Sequence, residues 1–461
     1  MSVSVESSHA PLAQNDSKSL TPEVQSVSSE SERQSSATLA RVNEDLSDAS
    51  FWWDALSQPL ATLFQNQKYG EPQQLAYLRW FQKWIMPALG PRPVNGQAHY
   101  GSWLTHDGSR LEYSMNWKEK KPEQTIRFTI EPASGEAGTP ADPLNQLAAK
   151  QLLTAMAKEY DGIDLTRFEI FHQETRVPDE LASAVVANNP PGAPLTGVWV
   201  AFDLEHSGEL TAKAYFLPHL KAVGTGIQPK DIAFSAIRKC NGPMGSYDAP
   251  LAALGAYLES FPTPETTPMV ALLSNDCVPD SPASRCKVYV HPSVPGTLAA
   301  AKDMFHLGGR LTGPATTAGL AAISELWCLL FGLDPADPAS EEKAVLPDGR
   351  KFLCVYEMRP TQEGQEDKGV DIEVKLHIPG WRLDKNDEQV SVLLEQWFRK
   401  HGHPELAARY RDDLAATFPK HDLTSDVTTH TWISLTHTEK TGLYMTMYYT
   451  PKLPLMYRGV Q

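Results

Sequence analysis

The sequence predicts an α+β fold: about ten antiparallel strands, in five consecutive pairs with helices between them, close into a barrel that the helices wrap. Three observations predict it. A unit of helix, strand, strand, helix recurs about five times along the chain, and the short turns inside each strand pair impose antiparallel pairing. The strand segments alternate polar and apolar residues, the period of an extended chain with two unlike faces. Their polar faces carry cations and phenols that a closed barrel would gather in its lumen, while the apolar faces pack on helices.

The elements follow in order. Residues 1 to about 45 are rich in Ser, Glu, Gln and Asn and poor in large apolar residues, so a disordered tail is expected there and a single domain from 46 to 461. From Phe51-Trp52-Trp53 onward, Leu56, Leu60, Leu63 and Phe64, then Leu75, Leu78, Phe81 and Ile85, recur at helical spacing, which predicts two helices ending at Pro87 and Gly90. A β-rich segment covers about 98 to 132, and a helical pattern returns at 145 to 158. Strands are predicted near 196–204 and 210–217, then helices near 229–239 and 248–261. The next strand pair lies at 268–275 and 285–291, followed by helices at 297–305 and 314–331. Strands at 352–358 and 370–378 precede helices at 387–401 and 404–416, and the last pair covers 430–436 and 443–449.

Composition narrows the function. With 41% hydrophobic and 21% charged residues, the 461-residue chain can bury a sizeable core. A net charge of −15 argues against a nucleic-acid surface, which would carry clustered excess positive charge. No run reaches the roughly 18 consecutive apolar residues of a membrane span. The N-terminus lacks the pattern of a secretory signal, so the expected location is cytoplasmic. Cys240, Cys277, Cys286, Cys328 and Cys354 form no CxxC pair and are expected to be reduced, mostly buried thiols.

Against that acidic background, three segments stand out. Lys213 and Tyr215 are two apart, as are Arg285, Lys287 and Tyr289, and Arg127 sits in Ile-Arg-Phe-Thr-Ile-Glu. On a strand each set shares one face, opposite apolar Ala214, Val288, Ile126 and Phe128. Glu112, Ser114 and Asn116 share another face, as do Arg127, Thr129 and Glu131. Positive charge interleaved with aromatic rings suits a polyanion held beside a carbocation. The other reading of any single strand is an ordinary half-exposed sheet whose polar side meets water.

At this point the residues match a known pattern. Tyr77-Leu78 through Pro87-Ala88-Leu89-Gly90-Pro91, Leu111-Glu112, Ile126-Arg127-Phe128-Thr129-Ile130-Glu131-Pro132, Gly138-Thr139, Asp142-Pro143, Lys213-Ala214-Tyr215, Leu220-Lys221-Ala222, Arg285-Cys286-Lys287-Val288-Tyr289 and Leu307-Gly308-Gly309-Arg310 occur in order over about 50 to 450. Together they resemble the fungal dimethylallyltryptophan synthase family of aromatic and indole prenyltransferases. The resemblance implies an ABBA-type barrel of five αββα repeats. It also implies transfer of a dimethylallyl group from dimethylallyl diphosphate to an aromatic small-molecule acceptor. By that resemblance Arg127, Lys213, Arg285 and Lys287 bind the diphosphate, Tyr215, Tyr289 and Tyr448 shield the allyl cation, and Glu112 accepts the indole N–H and is the catalytic residue. No cofactor is implied. The chain has no DDxxD, and its adjacent aspartates Asp412-Asp413 fall in an expected surface helix, so cationic side chains would stand in for a metal.

Several positions depart from the family's pattern. Trp199 stands where members that prenylate free tryptophan have lysine, which makes free tryptophan a poor acceptor and leaves the base that restores aromaticity unassigned. Glu373 and Lys375 replace Gln or Lys and then Tyr; Lys375 is expected to add a diphosphate contact, with Glu373 at the acceptor side or paired to it. Trp432 is expected to join the shield. His437, where tyrosine is common, is assigned to the acceptor pocket, with a structural histidine as the other reading. The resemblance thus points to a tryptophan-derived cyclic dipeptide or indole alkaloid. A phenolic polyketide such as a xanthone or quinone is the rival acceptor, and an anion-binding barrel without chemistry is the non-enzymatic alternative. No nucleic acid or membrane partner is expected, and a homodimer is left open.

Overall fold

The computed structural model describes residues 48–121, 123–190, 193, 195–349, 351–362, 364 and 370–457. The tail expected at 1 to 45 lies outside them. The chain begins with α1 (Asp48–Asn66) and α2 (Glu71–Ala88), then the strands β1 (Leu111–Lys118) and β2 (Ile126–Ile130). Three helices, α3 (Ala148–Ala157), α4 (Thr166–Thr175) and α5 (Asp179–Asn188), precede β3 (Val198–Leu204) and β4 (Leu210–Phe216). After α6 (His219–Thr225), α7 (Pro229–Arg238) and α8 (Asp248–Leu258) come β5 (Met269–Asp276) and β6 (Cys286–His291). Next are α9 (Leu298–Phe305), α10 (Pro314–Phe331) and α11 (Ala339–Glu342), then β7 (Leu353–Met358) and β8 (Ile372–Pro379). The chain closes with α12 (Asp387–Lys400), α13 (Pro404–Thr417), β9 (His430–Thr438), β10 (Gly442–Tyr449) and α14 (Leu453–Tyr457).

Every strand pairs antiparallel with its neighbours in sequence, and β1 pairs with β10, so the sheet closes on itself. Closure leaves no strand edge unpaired. The alternation within each strand decides which side chain goes where. On β1, Leu111, Tyr113, Met115 and Trp117 face outward, and Glu112, Ser114 and Asn116 face the lumen. Helices cover the outer face and make the core there. Phe128 of β2 lies edge-on to Phe81 of α2 at 5.1 Å and beside Phe202 of β3, while Trp117 meets Phe398 of α12 and His403. Each such aromatic burial contributes about 1.5–3 kcal/mol, so the core lies between barrel and helices and the lumen is free to be polar.

The 18-residue α10 is long and apolar enough to cross a membrane by length and composition alone. Here it packs on the barrel: Gly319, without a side chain, leaves room for Phe305 of α9 and lies near His437 of β9.

Two local devices set the start of β9. The capping box of α12, Asn386 with Gln389, fixes the helix beginning. Beside it, buried Asp387 accepts the backbone N–H groups of Thr429 and His430 and the His430 ring at 2.8 Å. The β9/β10 register then slips by one residue between Met447 and Tyr449, so that Thr431 and Trp432 together oppose Tyr448. Such a bulge re-aims a side chain that strict alternation would send outward. Thr431 is that side chain.

Candidate active site

The lumen has a charged end and an aromatic end. The charged end is a cavity of about 910 Å³ into which nearly every strand sends an ionic group. Asp203 of β3 is shared by Arg127 of β2, at 3.1 Å, and Lys213 of β4. Asp276 of β5 binds Arg285 at 2.6 Å and Lys287 at 3.8 Å. Glu357 of β7 binds the same two cations at 2.9 and 3.6 Å and also Arg359, at 2.8 Å. Carboxylates and cations thus alternate around the wall, and these paired charges compensate one another.

Burial disfavours every one of these ions, and the pairings decide the outcome. Burial alone would raise the Asp203 and Glu357 carboxyls, yet Arg127 with Lys213, and Lys287 with Arg285 and Arg359, hold both down to about 2. Lys287 loses to burial and to Arg285 but gains more from Asp276 and Glu357, so its pKa rises. Lys213 goes the other way: burial pushes it down to about 8 despite Asp203. Tyr444 of β10 is surrounded by cations, with Lys375, Lys118 and Arg127 lying 3.7, 5.4 and 5.9 Å from its ring centre. Burial would raise that phenol, and Arg127, Lys375 and Lys118 override it, bringing it down to about 7.

The aromatic end is a cavity of about 570 Å³, lined among others by Trp103, Trp199, Leu272, Leu353 and Trp432, with Glu112 in its wall. Glu112 is buried and accepts the Thr431 hydroxyl at 2.5 Å. Trp199 donates its indole N–H to Glu131 at 3.1 Å, and Trp432 stands edge-on to Trp381 at 4.9 Å. Tyr215, Tyr289, Tyr448, His377 and Thr129 border both cavities. Tyr215 and Tyr289 lie 5.9 Å apart, centre to centre, and burial raises the pKa of all three phenols, so they remain neutral rings. The two cavities are therefore one tunnel with a collar of tyrosines.

The structure brings Arg127, Lys213, Arg285, Lys287 and Lys375 to the charged end, Tyr215, Tyr289 and Tyr448 to the collar, and Glu112, Trp199 and Trp432 to the aromatic end. Two assignments need correction. Glu373 does not reach the acceptor side. It points into the charged end, directly opposite Glu357 across β7 and β8, and meets Arg359 at 3.8 Å. Burial and the facing Glu357 raise its pKa. His437 leaves the lumen altogether: one step out of phase with Thr436 and Thr438, it lines an outer cleft with Phe305 and Leu311. Of the adjacent aspartates, Asp412 is exposed and Asp413 is half-buried in an ion pair with Arg409.

Lys118, Arg359, Tyr444, His377, Thr431 and the three paired carboxylates were not singled out from sequence. Most carried a signal in the alternation itself. Counting by two from Lys375 gives His377, from Tyr448 gives Tyr444, and from Glu357 gives Arg359. Thr431 carried none, because it depends on the bulge. Among the described residues, no three His, Cys, Asp or Glu side chains group as a metal site.

Residues 48–413 match the family model described as tryptophan dimethylallyltransferase. The chain belongs to that family. Its sequence is 53% identical over 418 residues to the prenyltransferase iacE of Pestalotiopsis fici, covering 90% of this chain and 94% of that one. It is 32% identical to a 7-dimethylallyltryptophan synthase of Aspergillus fumigatus, covering 87% and 85%. Among solved structures it resembles AnaPT of Neosartorya fischeri, with a TM-score of 0.75, 27% identity, and 88% and 94% coverage. NotF in complex with brevianamide F and DMSPP shares the fold at a TM-score of 0.72 and 24% identity, covering 90% and 97%. The chain is an aromatic prenyltransferase of the dimethylallyltryptophan synthase type, with the closed antiparallel ABBA barrel of those proteins.

Proposed function

We propose that this prenyltransferase moves a dimethylallyl group from dimethylallyl diphosphate to an indole-containing acceptor, a tryptophan-derived cyclic dipeptide or an indole alkaloid, in fungal secondary metabolism and without a divalent metal. One observation carries the reading: a single tunnel has cations at one end, the Glu112 carboxylate among largely aromatic walls at the other, and tyrosine rings between. Diphosphate departs only if its growing charge is stabilised, and Arg127, Lys213, Arg285, Lys287 and Lys375 are placed to form charge-assisted hydrogen bonds with it. The allyl cation left behind faces Tyr215, Tyr289, Tyr448 and Trp432, whose rings stabilise it by about 0.5–2 kcal/mol each and exclude water. Glu112 then takes an N–H of the acceptor and stabilises the positive charge that develops as the ring attacks.

A substrate bearing a free amino-acid group fits poorly, because Trp199 and its apolar neighbours line the aromatic end. A second reading, a phenolic polyketide such as a xanthone or quinone, is favoured by that same apolar lining. The relative at 53% identity is also named only as a prenyltransferase, whereas relatives with tryptophan in their names stand at 32% or below.

Purified protein incubated with dimethylallyl diphosphate, EDTA and a panel of indoles and phenols tests both readings. Prenylated product with matching diphosphate release is expected from an indole dipeptide. Product from phenols alone would select the second reading, and no product from any acceptor would overturn the enzyme reading. Activity that needed added magnesium would overturn its metal-independent part.

A further inference from the structure

His377 projects into the lumen from β8 at the tyrosine collar, where it borders both cavities. Its Nε2 lies 3.3 Å from the Tyr448 hydroxyl, and its ring stands edge-on to Trp432, 6.4 Å away centre to centre. The other ring nitrogen, Nδ1, is buried and has no hydrogen-bond partner among the described residues. In the tautomer with the proton on Nδ1, the Nε2 lone pair accepts the Tyr448 hydroxyl. Burial, with Lys375 next, keeps the imidazole neutral at physiological pH. Across the β8/β9 pairing stands Ser434, whose buried hydroxyl also lacks a partner and which gives a protonated ring a polar neighbour.

Tyr448 pairs with Ser114, two residues along β1 from Glu112. Glu112 and Tyr448 line the same cavity, so an aromatic acceptor held against Glu112 would present its ring toward the Tyr448 hydroxyl. Once that carbon bonds to the allyl group, the ring carries a positive charge and an extra C–H that must be lost. Trp199 has no basic group to take it.

We propose that Tyr448 and His377 form the proton exit that restores aromaticity. The C–H bond at the newly substituted carbon breaks and its electrons return to the ring. The proton passes to the Tyr448 oxygen as the Tyr448 proton passes to His377 Nε2. Charge balances: the positive charge of the ring intermediate becomes that of an imidazolium, which discharges to the departing diphosphate or to water when product leaves. This assignment rests on the prenyl-transfer reading and identifies a base for it. Tyr448 is the catalytic member that touches the acceptor; His377 acts through it.

The test compares turnover of ring-protiated and ring-deuterated acceptors, cyclo-(Trp-Pro) and 1-naphthol, by the wild type, His377→Gln and Tyr448→Phe, using whichever acceptor the wild type alkylates on carbon. In the wild type the two isotopologues are expected to turn over alike, with diphosphate loss slower than proton loss. In His377→Gln, kcat is expected to fall by about 100-fold, the scale of a positioned base, and a primary isotope effect should emerge because proton loss becomes limiting. Tyr448→Phe keeps the shielding ring, lacks the hydroxyl, and should show the same emergence; it decides the matter if His377→Gln does not fold. Wild-type turnover in either folded variant overturns the assignment, as does slow turnover with no isotope effect, which would mark a structural role. Failure of the wild type to alkylate either acceptor would instead strike the prenyl-transfer reading on which the assignment stands.

Discussion

Glu112 accepts the Thr431 hydroxyl in the wall of a cavity lined largely by aromatic and aliphatic side chains. A buried carboxylate in that setting is a strong acceptor for a ring N–H. Glu112→Gln keeps the shape and removes the charge, so turnover with an indole acceptor should fall by about 100-fold or more, measured as product formed at saturating donor. Tyr444 gives a second prediction. Its phenol, drawn down to about 7 by Arg127, Lys375 and Lys118 against burial, becomes an anion as pH rises and then repels diphosphate. Lys213, pushed by burial down to about 8, loses its charge over the next unit. Both changes have the same sign, so affinity for a diphosphate should weaken above neutral pH, by up to about tenfold per pH unit per group. Calorimetric titration with the donor's thiolodiphosphate analogue checks this, and Tyr444→Phe should flatten the first part of the decline. Most of these side chains were legible from spacing alone once a strand was recognised. Glu373 was legible in position but not in partner, because whether it meets an acceptor or Arg359 depends on how far along the tunnel β8 carries it. His437 was misplaced for a simpler reason: it lies out of phase with Thr436 on the same strand.

At the scale of elements, strand positions followed closely from alternation, because each strand has an apolar face under helices and a polar face in the lumen. Helices α7 and α12, with apolar residues at regular helical spacing, and α10, apolar along most of its length, were equally plain. Helix α4 was not, because its buried side includes Arg167, His172 and Thr175 among its phenylalanines, which breaks the pattern. The β9 bulge was also invisible, since nothing in His430-Thr431-Trp432 distinguishes it from regular alternation. Its consequence is testable through Asp387, which holds two backbone N–H groups and the His430 ring at the start of that strand. Asp387→Ala leaves those donors buried and unpartnered, and should cost about 3–5 kcal/mol in chemical denaturation. Asp387→Asn, which keeps an acceptor, should cost less.

At the scale of the molecule, a chain with a net charge of −15 concentrates cations inside a closed sheet. The outward apolar faces make closure possible because helices bury them, and closure creates a polar, walled tunnel instead of a second core. Sequence alternation implied that inversion, whereas the division of the tunnel at Tyr215, Tyr289 and Tyr448 requires the order in which strands meet around the barrel. The central claim is that one continuous lumen seats diphosphate at the charged end and an allyl group at the tyrosine collar. A crystal structure of the protein with dimethylallyl thiolodiphosphate tests it most directly. The diphosphate should lie among Arg127, Lys213, Arg285, Lys287 and Lys375, with the allyl carbons against the three tyrosine rings. A diphosphate bound outside the barrel, or an allyl chain turned away from the collar, would contradict the account.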